Sequence, residues 1–195
     1  IVLLVTAYFI GIATLMPIDE IIGTMKEGFG GIMSHIGIVI IAGAIIGTIL
    51  EKTGAALTMA NTILKIFGKD RSFLTMSITG YVVSVPVFCD SGFVILSPLS
   101  RAIAEKSKTS LAVMATALSS GLYATHCLVP PTPGPIYMAA TLDANLGLVI
   151  ITGLVVSIPA LISGYIYAKK VASRYDIDPN PEETVESLLE KYGEL

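Results

Sequence analysis

Charge is scarce in this sequence. Of its 195 residues, 14% are Asp, Glu, Lys or Arg, against about 25% in an average soluble domain. The shortfall is concentrated in long apolar runs that are almost free of charge. That excludes an ordinary soluble domain and points to an integral membrane protein with several spans. The runs are continuous and do not alternate, which favours helices over a β-barrel. Cysteine is scarce as well: there are two, Cys89 and Cys127. Their spacing fits neither a disulfide framework nor a metal motif, so neither metal nor cofactor is expected. A net charge of −3 says little about partners, because orientation in a membrane depends on where Lys and Arg lie. Nucleic acid is not expected among them. The chain begins at Ile1 inside an apolar run and ends at Leu195 after an acidic tail, so it is expected to be part of a longer protein.

What the sequence does have is a run that stands apart. Thr125-His126-Cys127-Leu128-Val129-Pro130-Pro131-Thr132-Pro133-Gly134-Pro135 lies between two apolar segments, Leu111 to Ala124 and Ile136 to Leu142. Proline lacks a backbone donor, fixes φ and disfavours the helical region in the residue before it. Four prolines in six residues therefore predict an extended, polyproline-like interruption of an otherwise helical segment. A plain loop between two helices is the other reading of the same spacing. Within a membrane, broken helices are tolerated only where they are buried in protein or line a wet cavity, and in secondary transporters they hold the substrate.

Around this run the chain divides as follows. Ile1 to Met16 reads as a span lacking its first turn. A short amphipathic interfacial helix follows, ended by Gly28, Gly30 and Gly31. Ile32 to Leu50 is the second span, with Gly43 and Gly47 forming a small-xxx-small pair for close packing. His35, near its start, reads as an interfacial histidine. Ala55 to Phe67 is amphipathic. Leu146 to Ala168 is the last span, with Pro159 placed to kink it. Residues 1–174 form the expected membrane domain. Residues 175–195 form a polar cytoplasmic linker or the start of an inter-repeat connection, with apolar Val185, Leu188 and Leu189 in a short amphipathic stretch.

Ser72 to Ser100 spans 29 residues with one charge, Asp90. Two crossings need about 20 residues each, so the stretch is too short to cross twice and too long to cross once. The predicted solution is a re-entrant hairpin that turns at Asp90-Ser91-Gly92, with Pro98 breaking its return arm. Charge agrees. If the hairpin opens to the cytoplasm, so do Lys52, Lys65, Lys69, Arg71, Arg101, Lys106, Lys108, Lys169, Lys170 and Arg174, and Lys26 stays outside.

Ionisable groups inside a membrane are costly and usually functional. Asp90 is therefore the leading candidate for proton exchange, because burial raises a carboxyl pKa. It also reads as a helix N-cap. Ser91 and Gly92 would open a half-helix whose N-terminus favours an anion, and the segment from Pro135 and Ile136 would offer a second such end. Thr125, Thr132 and Ser119 or Ser120 add hydroxyls suited to a polyhydroxylated substrate. His126 is placed either to carry protons or to make a structural hydrogen bond across the break. Cys89, Asp90, His126 and Cys127 lack the close spacing of a metal site.

Two long motifs carry a resemblance. Phe88-Cys89-Asp90-Ser91-Gly92-Phe93-Val94-Ile95-Leu96-Ser97-Pro98 and Thr125 to Pro135, with Gly43 to Gly54 as a third stretch, resemble the gluconate permease (GntP) family of proton-coupled sugar-acid importers. The likeness runs to about Arg174. It implies an all-α ion-transporter-superfamily fold of two inverted repeats, each holding a hairpin and a broken helix, with this chain as the first repeat. It also implies a multi-pass protein of the bacterial inner membrane. Relatives for gluconate often have His in place of Thr132 and Glu in place of Asp90, so the class follows and the particular sugar acid does not.

The expected function is sugar-acid import by proton symport. Asp90, Ser91, Gly92, Thr125, His126, Pro131, Thr132, Pro133 and Gly134 would bind substrate, and Asp90 and His126 would handle the proton. Expected partners are a small sugar acid, a proton and the lipid bilayer; a homodimer is left open. Other readings are transport of another small organic anion, coupling to sodium, a channel, or an intramembrane enzyme using Asp90 and His126 as acid and base. The channel lacks a polar stripe along a span, and the enzyme lacks a second acid in the membrane.

Overall fold

The structure, a computed structural model, describes residues 2–68 and 72–179. The charged turn Lys69-Asp70-Arg71, the side chain of His35 and the amphipathic stretch after Pro181 lie outside the described residues. Among the described residues all regular structure is helical, as in an all-α membrane protein. In order these helices are α1 (Val2–Ala13), α2 (Ile18–Lys52), α3 (Ala55–Phe67), α4 (Ser72–Val83), α5 (Cys89–Ser107), α6 (Leu111–Leu128), α7 (Pro133–Thr141) and α8 (Leu146–Lys170), followed by a 3-10 turn at Ala172–Arg174. Among the described residues, two stretches, Leu111–Thr141 and Leu146–Arg174, are long and apolar enough to cross a membrane without counting bent helix pairs.

The helices fall into two compact units. The first, Ile1–Val39, is α1 with the first part of α2. Gly11 packs on Ile21 there, closely enough that a Cβ on the glycine would lie 2.7 Å from Ile21 Cγ1. The second unit begins at Ile40 and contains the core. Met76 and Val83 of α4, Leu96 and Leu99 of α5 and Met114, Leu118 and Leu122 of α6 are buried together with Ala56, Leu57 and Ala60 of α3.

Local chemistry explains the helix ends. Gly54, at φ 74°, closes α2 and opens α3 in a left-handed conformation that costs a glycine nothing. Ser110 Oγ accepts from Ala112 N at 3.2 Å, and Asn145 Oδ1 from Leu148 N at 3.1 Å, so α6 and α8 begin on side-chain caps. Ser110 does more: its hydroxyl donates to Tyr175 O and accepts from Ile177 N, while Leu111 N donates to Ile177 O. The segment leaving α8 is thereby fastened to the start of α6.

Several boundaries differ from the sequence reading. Gly28, Gly30 and Gly31 do not end a helix; α2 runs through them. Each glycine costs about 1 kcal/mol in a helix, but it keeps its N–H, so the hydrogen-bond ladder can continue through it. The turn after α4 falls at Ser84 to Phe88, before Asp90, and Phe88 is the N-cap of α5. Asp90 is thus inside the first turn and is not the cap. Pro98 lies within α5 without ending it, and α5 continues past Ser100 to Ser107. Pro159 likewise lies within α8.

The interruption between α6 and α7 is shorter than the proline run suggested. Thr125 to Leu128 remain helical, and α7 starts at Pro133. Prolines 133 and 135 occupy the first turn of α7, where a helix has no use for the missing donors. Only Val129 to Thr132 are non-helical, with the Pro130–Pro131 bond cis.

Helices α4 and α6 cross at two glycines. A Cβ on Gly80 would meet Leu118 O and, at 2.9 Å, Leu122 N; a Cβ on Gly121 would meet Ser77 O and, at 3.0 Å, Tyr81 N. Both neighbours are backbone and cannot swing aside. Gly121→Ala is therefore expected to force the two helices apart and cost about 1–3 kcal/mol, as overpacking does. Gly23→Ala, at a position with open space, should be neutral or slightly stabilising. Unfolding midpoints of the full-length protein in detergent check both, and equal midpoints for the two variants would contradict the close crossing.

Candidate functional site

Two non-helical breaks, Ser84 to Phe88 and Val129 to Thr132, are the places where backbone polar groups come free in an apolar surrounding. Both lie against one helix. A Cβ on Gly47 of α2 would sit 3.6 Å from Pro86 O, and one on Gly43 would sit 4.0 Å from Pro131 O. The small-xxx-small pair therefore seats the two breaks about one turn apart on a single helix face. The breaks also touch through side chains. The His126 ring near the end of α6 lies edge-on to Phe88 at the start of α5, with centroids 6.1 Å apart.

The backbone groups around the breaks are satisfied mostly at short range. Val87 N donates to Val83 O, Val129 N to Thr125 O, and the Thr132 hydroxyl to Val129 O at 2.9 Å. A longer link joins the two segments: the Thr125 hydroxyl donates to Tyr81 O at 3.0 Å. The Tyr81 side chain then reaches α8, donating to Leu154 O at 2.7 Å and pairing with Ser157 Oγ at 2.9 Å. On the same face of α8, Gly153 lets the Leu128 carbonyl approach so closely that a Cβ would sit 3.2 Å from Leu128 C. Tyr81 and Thr125 thus pin α4, α6 and α8 together beside the breaks.

Asp90 looks elsewhere. It is exposed, at the second position of α5, into a cavity of about 420 Å³ lined by Cys89, Asp90, Phe93 and Val94 of α5 and by Ser119, Leu122 and Tyr123 of α6. Cys89 Sγ approaches Asp90 Oδ1 at 3.6 Å.

The residues singled out from the sequence therefore separate into groups. Asp90 faces the cavity together with Ser119. His126 is half-buried, between Phe88 and Tyr123, and its Nδ1 is buried with no partner among the described residues. Thr125 and Thr132 are buried with their hydroxyls committed to backbone carbonyls. Gly92 is buried against Leu122, where a Cβ would lie 2.9 Å from Leu122 Cδ2. Ser91 is half-buried. Pro131 and Pro133 are half-buried, while Gly134 is exposed with open space beside it.

The two helix N-termini are not equivalent. Neither has a side-chain cap. The first turn of α5 presents the N–H groups of Cys89, Asp90 and Ser91, with an acidic side chain among them. The first turn of α7 is Pro133-Gly134-Pro135, which leaves Gly134 as its one backbone donor. Sequence reasoning missed Tyr81, Phe93 and Tyr123. A signal existed for Tyr123: it lies four residues after Ser119 and three before His126, on one helix face. Nothing local marked Tyr81, whose partners are some seventy residues away.

Comparison with known proteins gives a consistent result. Residues 1–194 match the model of the GntP family permease. A Haemophilus influenzae protein named "Uncharacterized permease" is 38% identical over 192 residues, 98% of this chain and 39% of that protein. The gluconate permease of Pseudomonas aeruginosa is 34% identical, over 96% of this chain and 42% of its own length. The D-serine transporter of Escherichia coli is also 34% identical, over 93% of this chain and 41% of its own length. The chain thus spans about two fifths of the length of the curated relatives it matches. No solved structure matches it.

The committed Thr125 hydroxyl makes a test. Thr125→Val keeps the shape but leaves Tyr81 O without its donor, and should lower stability by about 1 kcal/mol. Thr125→Ser should restore it. Denaturant unfolding of the full-length protein in detergent reads this. A Thr125→Val protein of unchanged stability but lost substrate binding would place the hydroxyl on the substrate instead.

Proposed function

Because this chain belongs to the GntP permease family, we propose that it forms part of a secondary active transporter that imports a gluconate-like sugar acid together with a proton. A family of permeases leaves no place for the intramembrane enzyme. The chain is part of a multi-pass protein of the bacterial inner membrane. Relatives are named for gluconate and for D-serine, two molecules that share a carboxylate and a hydroxyl. The D-serine relative supports a second reading, a small hydroxylated acid other than a sugar acid.

The observation that carries the proposal is the placement of Asp90. It sits in the first turn of α5, at the edge of a cavity, beside uncapped N–H groups. An ionised carboxylate there satisfies the positive helix end itself and repels a second anion. A protonated one does neither, and the N–H groups are then open to the carboxylate of a substrate. Substrate anion and proton thus bind together, which is the thermodynamic requirement of symport. His126, with its buried Nδ1 unpartnered among the described residues, is the second proton-handling group. Ser91, Gly92, Thr125, Pro131, Thr132, Pro133 and Gly134 complete the proposed binding region, most of them as backbone and packing.

In this reading α4 and α5 form a re-entrant hairpin open to the cytoplasm. At 1.5 Å per residue the 12 residues of α4 reach only about 18 Å, short of a hydrocarbon core of about 30 Å. Single cysteines replacing Lys65 and Glu105, both exposed, should be labelled from the same face of the membrane. Labelling from opposite faces would end the hairpin.

Asp90→Asn tests the coupling. The amide keeps the size and hydrogen-bonding capacity but cannot cycle a proton. Uptake of labelled gluconate into proteoliposomes of the full-length protein should lose its response to an imposed pH gradient, while substrate counterflow survives. If the variant still concentrates substrate in response to that gradient, Asp90 does not couple the proton.

A further inference from the structure

The Asp90 cavity has two walls, and each is a single helix face. On α5 the wall is Cys89, Asp90, Phe93 and Val94; on α6 it is Ser119, Leu122 and Tyr123. Counted from Asp90 and from Ser119, both walls show the spacing i, i+3, i+4, so each is a coherent surface. Each also mixes one polar end with apolar bulk: Asp90 before Phe93 and Val94, and Ser119 and the Tyr123 phenol around Leu122. Such a lining suits a molecule with hydroxyls along one edge and C–H groups along the other. The volume of about 420 Å³ lies within the range of small-molecule sites, about 300–1,000 Å³. It admits a six-carbon sugar acid and a three-carbon hydroxy acid alike, so any discrimination between them has to come from where the polar groups of the lining sit.

Tyr123 is the distinctive member of this lining. It is 61% exposed, so most of its ring lies outside the core that holds Leu118 and Leu122. Its ring lies 6.1 Å from that of His126, so it stands between the cavity and the end of α6. It is the one tyrosine in the cavity, and its phenol is the one group there that combines a broad apolar face with a hydrogen-bonding tip.

We propose that Tyr123 sets the chain length of the substrate: its ring covers the C–H face, and its phenol hydrogen-bonds a hydroxyl distal to the carboxylate. A six-carbon polyhydroxy acid reaches it and a three-carbon acid does not. The proposal rests on the sugar-acid reading above and adds the residue that distinguishes one hydroxylated acid from another. A site built to bond a substrate hydroxyl discriminates against a ligand that lacks it, because the site's own polar group is left unpaired.

The test measures dissociation constants of D-gluconate and D-glycerate by calorimetry on the full-length protein in detergent, for wild type, Tyr123→Phe and Tyr123→Leu. Wild type should prefer gluconate by at least tenfold. Tyr123→Phe, which keeps the ring and the packing, should weaken gluconate about tenfold, the effect of one lost hydrogen bond, and leave glycerate within twofold. Tyr123→Leu should weaken gluconate further. If Tyr123→Phe weakens both acids equally, or neither, Tyr123 does not read chain length. Wild type without a preference overturns the proposal in the same way and leaves the sugar-acid reading standing. Wild type that binds neither acid overturns the sugar-acid reading itself.

Discussion

A helix that stops inside an apolar surrounding releases N–H and C=O groups that cannot turn to water, and each unpaired group costs several kcal/mol. Among the described residues α4 and α6 stop beside the buried apolar side chains of Val83, Val87 and Val129, and the arrangement of the second unit follows from how the freed groups are covered. Short turns satisfy some of them. Other carbonyls of the breaks pack against glycines: Pro86 O and Pro131 O lie beside Gly47 and Gly43, and the Leu128 carbonyl lies over Gly153. At Gly153 glycine is a requirement of distance, since a Cβ would collide with the Leu128 carbonyl, whereas at Gly43 and Gly47 a Cβ would make ordinary van der Waals contact. The Thr125 and Tyr81 hydroxyls do the remaining work and tie the breaks to α8.

That division of labour separates structure from chemistry. The buried hydroxyls beside the breaks are committed to main-chain carbonyls, whereas the groups facing the cavity, Asp90, Ser119 and Tyr123, lie about two turns back along α6 and in the first turn of α5. The breaks therefore hold the helices in place, and the helix faces next to them present the polar groups. The α4–α6 crossing at Gly80 and Gly121 fixes the distance between the turn after α4 and the end of α6.

Much of this was legible in the sequence. Long uncharged runs marked the membrane class, the proline run marked the break after α6, and Asp90 stood out as a lone acid. The misplaced boundaries have a common cause. Proline and glycine act on one or two backbone groups, and their effect depends on whether those groups were needed. At Pro133 and Pro135 they were not, because a first turn has no acceptor for them. At Gly28 to Gly31 the hydrogen bonds survived, so the helix did too. The contacts of Tyr81 and the placement of Tyr123 over the cavity are products of tertiary packing. Helical spacing could suggest a face for Tyr123, but only packing supplies the opposing wall from α5.

The start of α7 has a further consequence. With Pro133 and Pro135 in its first turn, it retains the partial positive charge of a helix end but almost none of the directional donors that usually accompany it. A field of that kind attracts an anion without dictating how it is oriented. The two helix starts that follow the breaks therefore differ in kind: α5 offers charge together with several backbone donors, α7 charge with a single donor in its first turn.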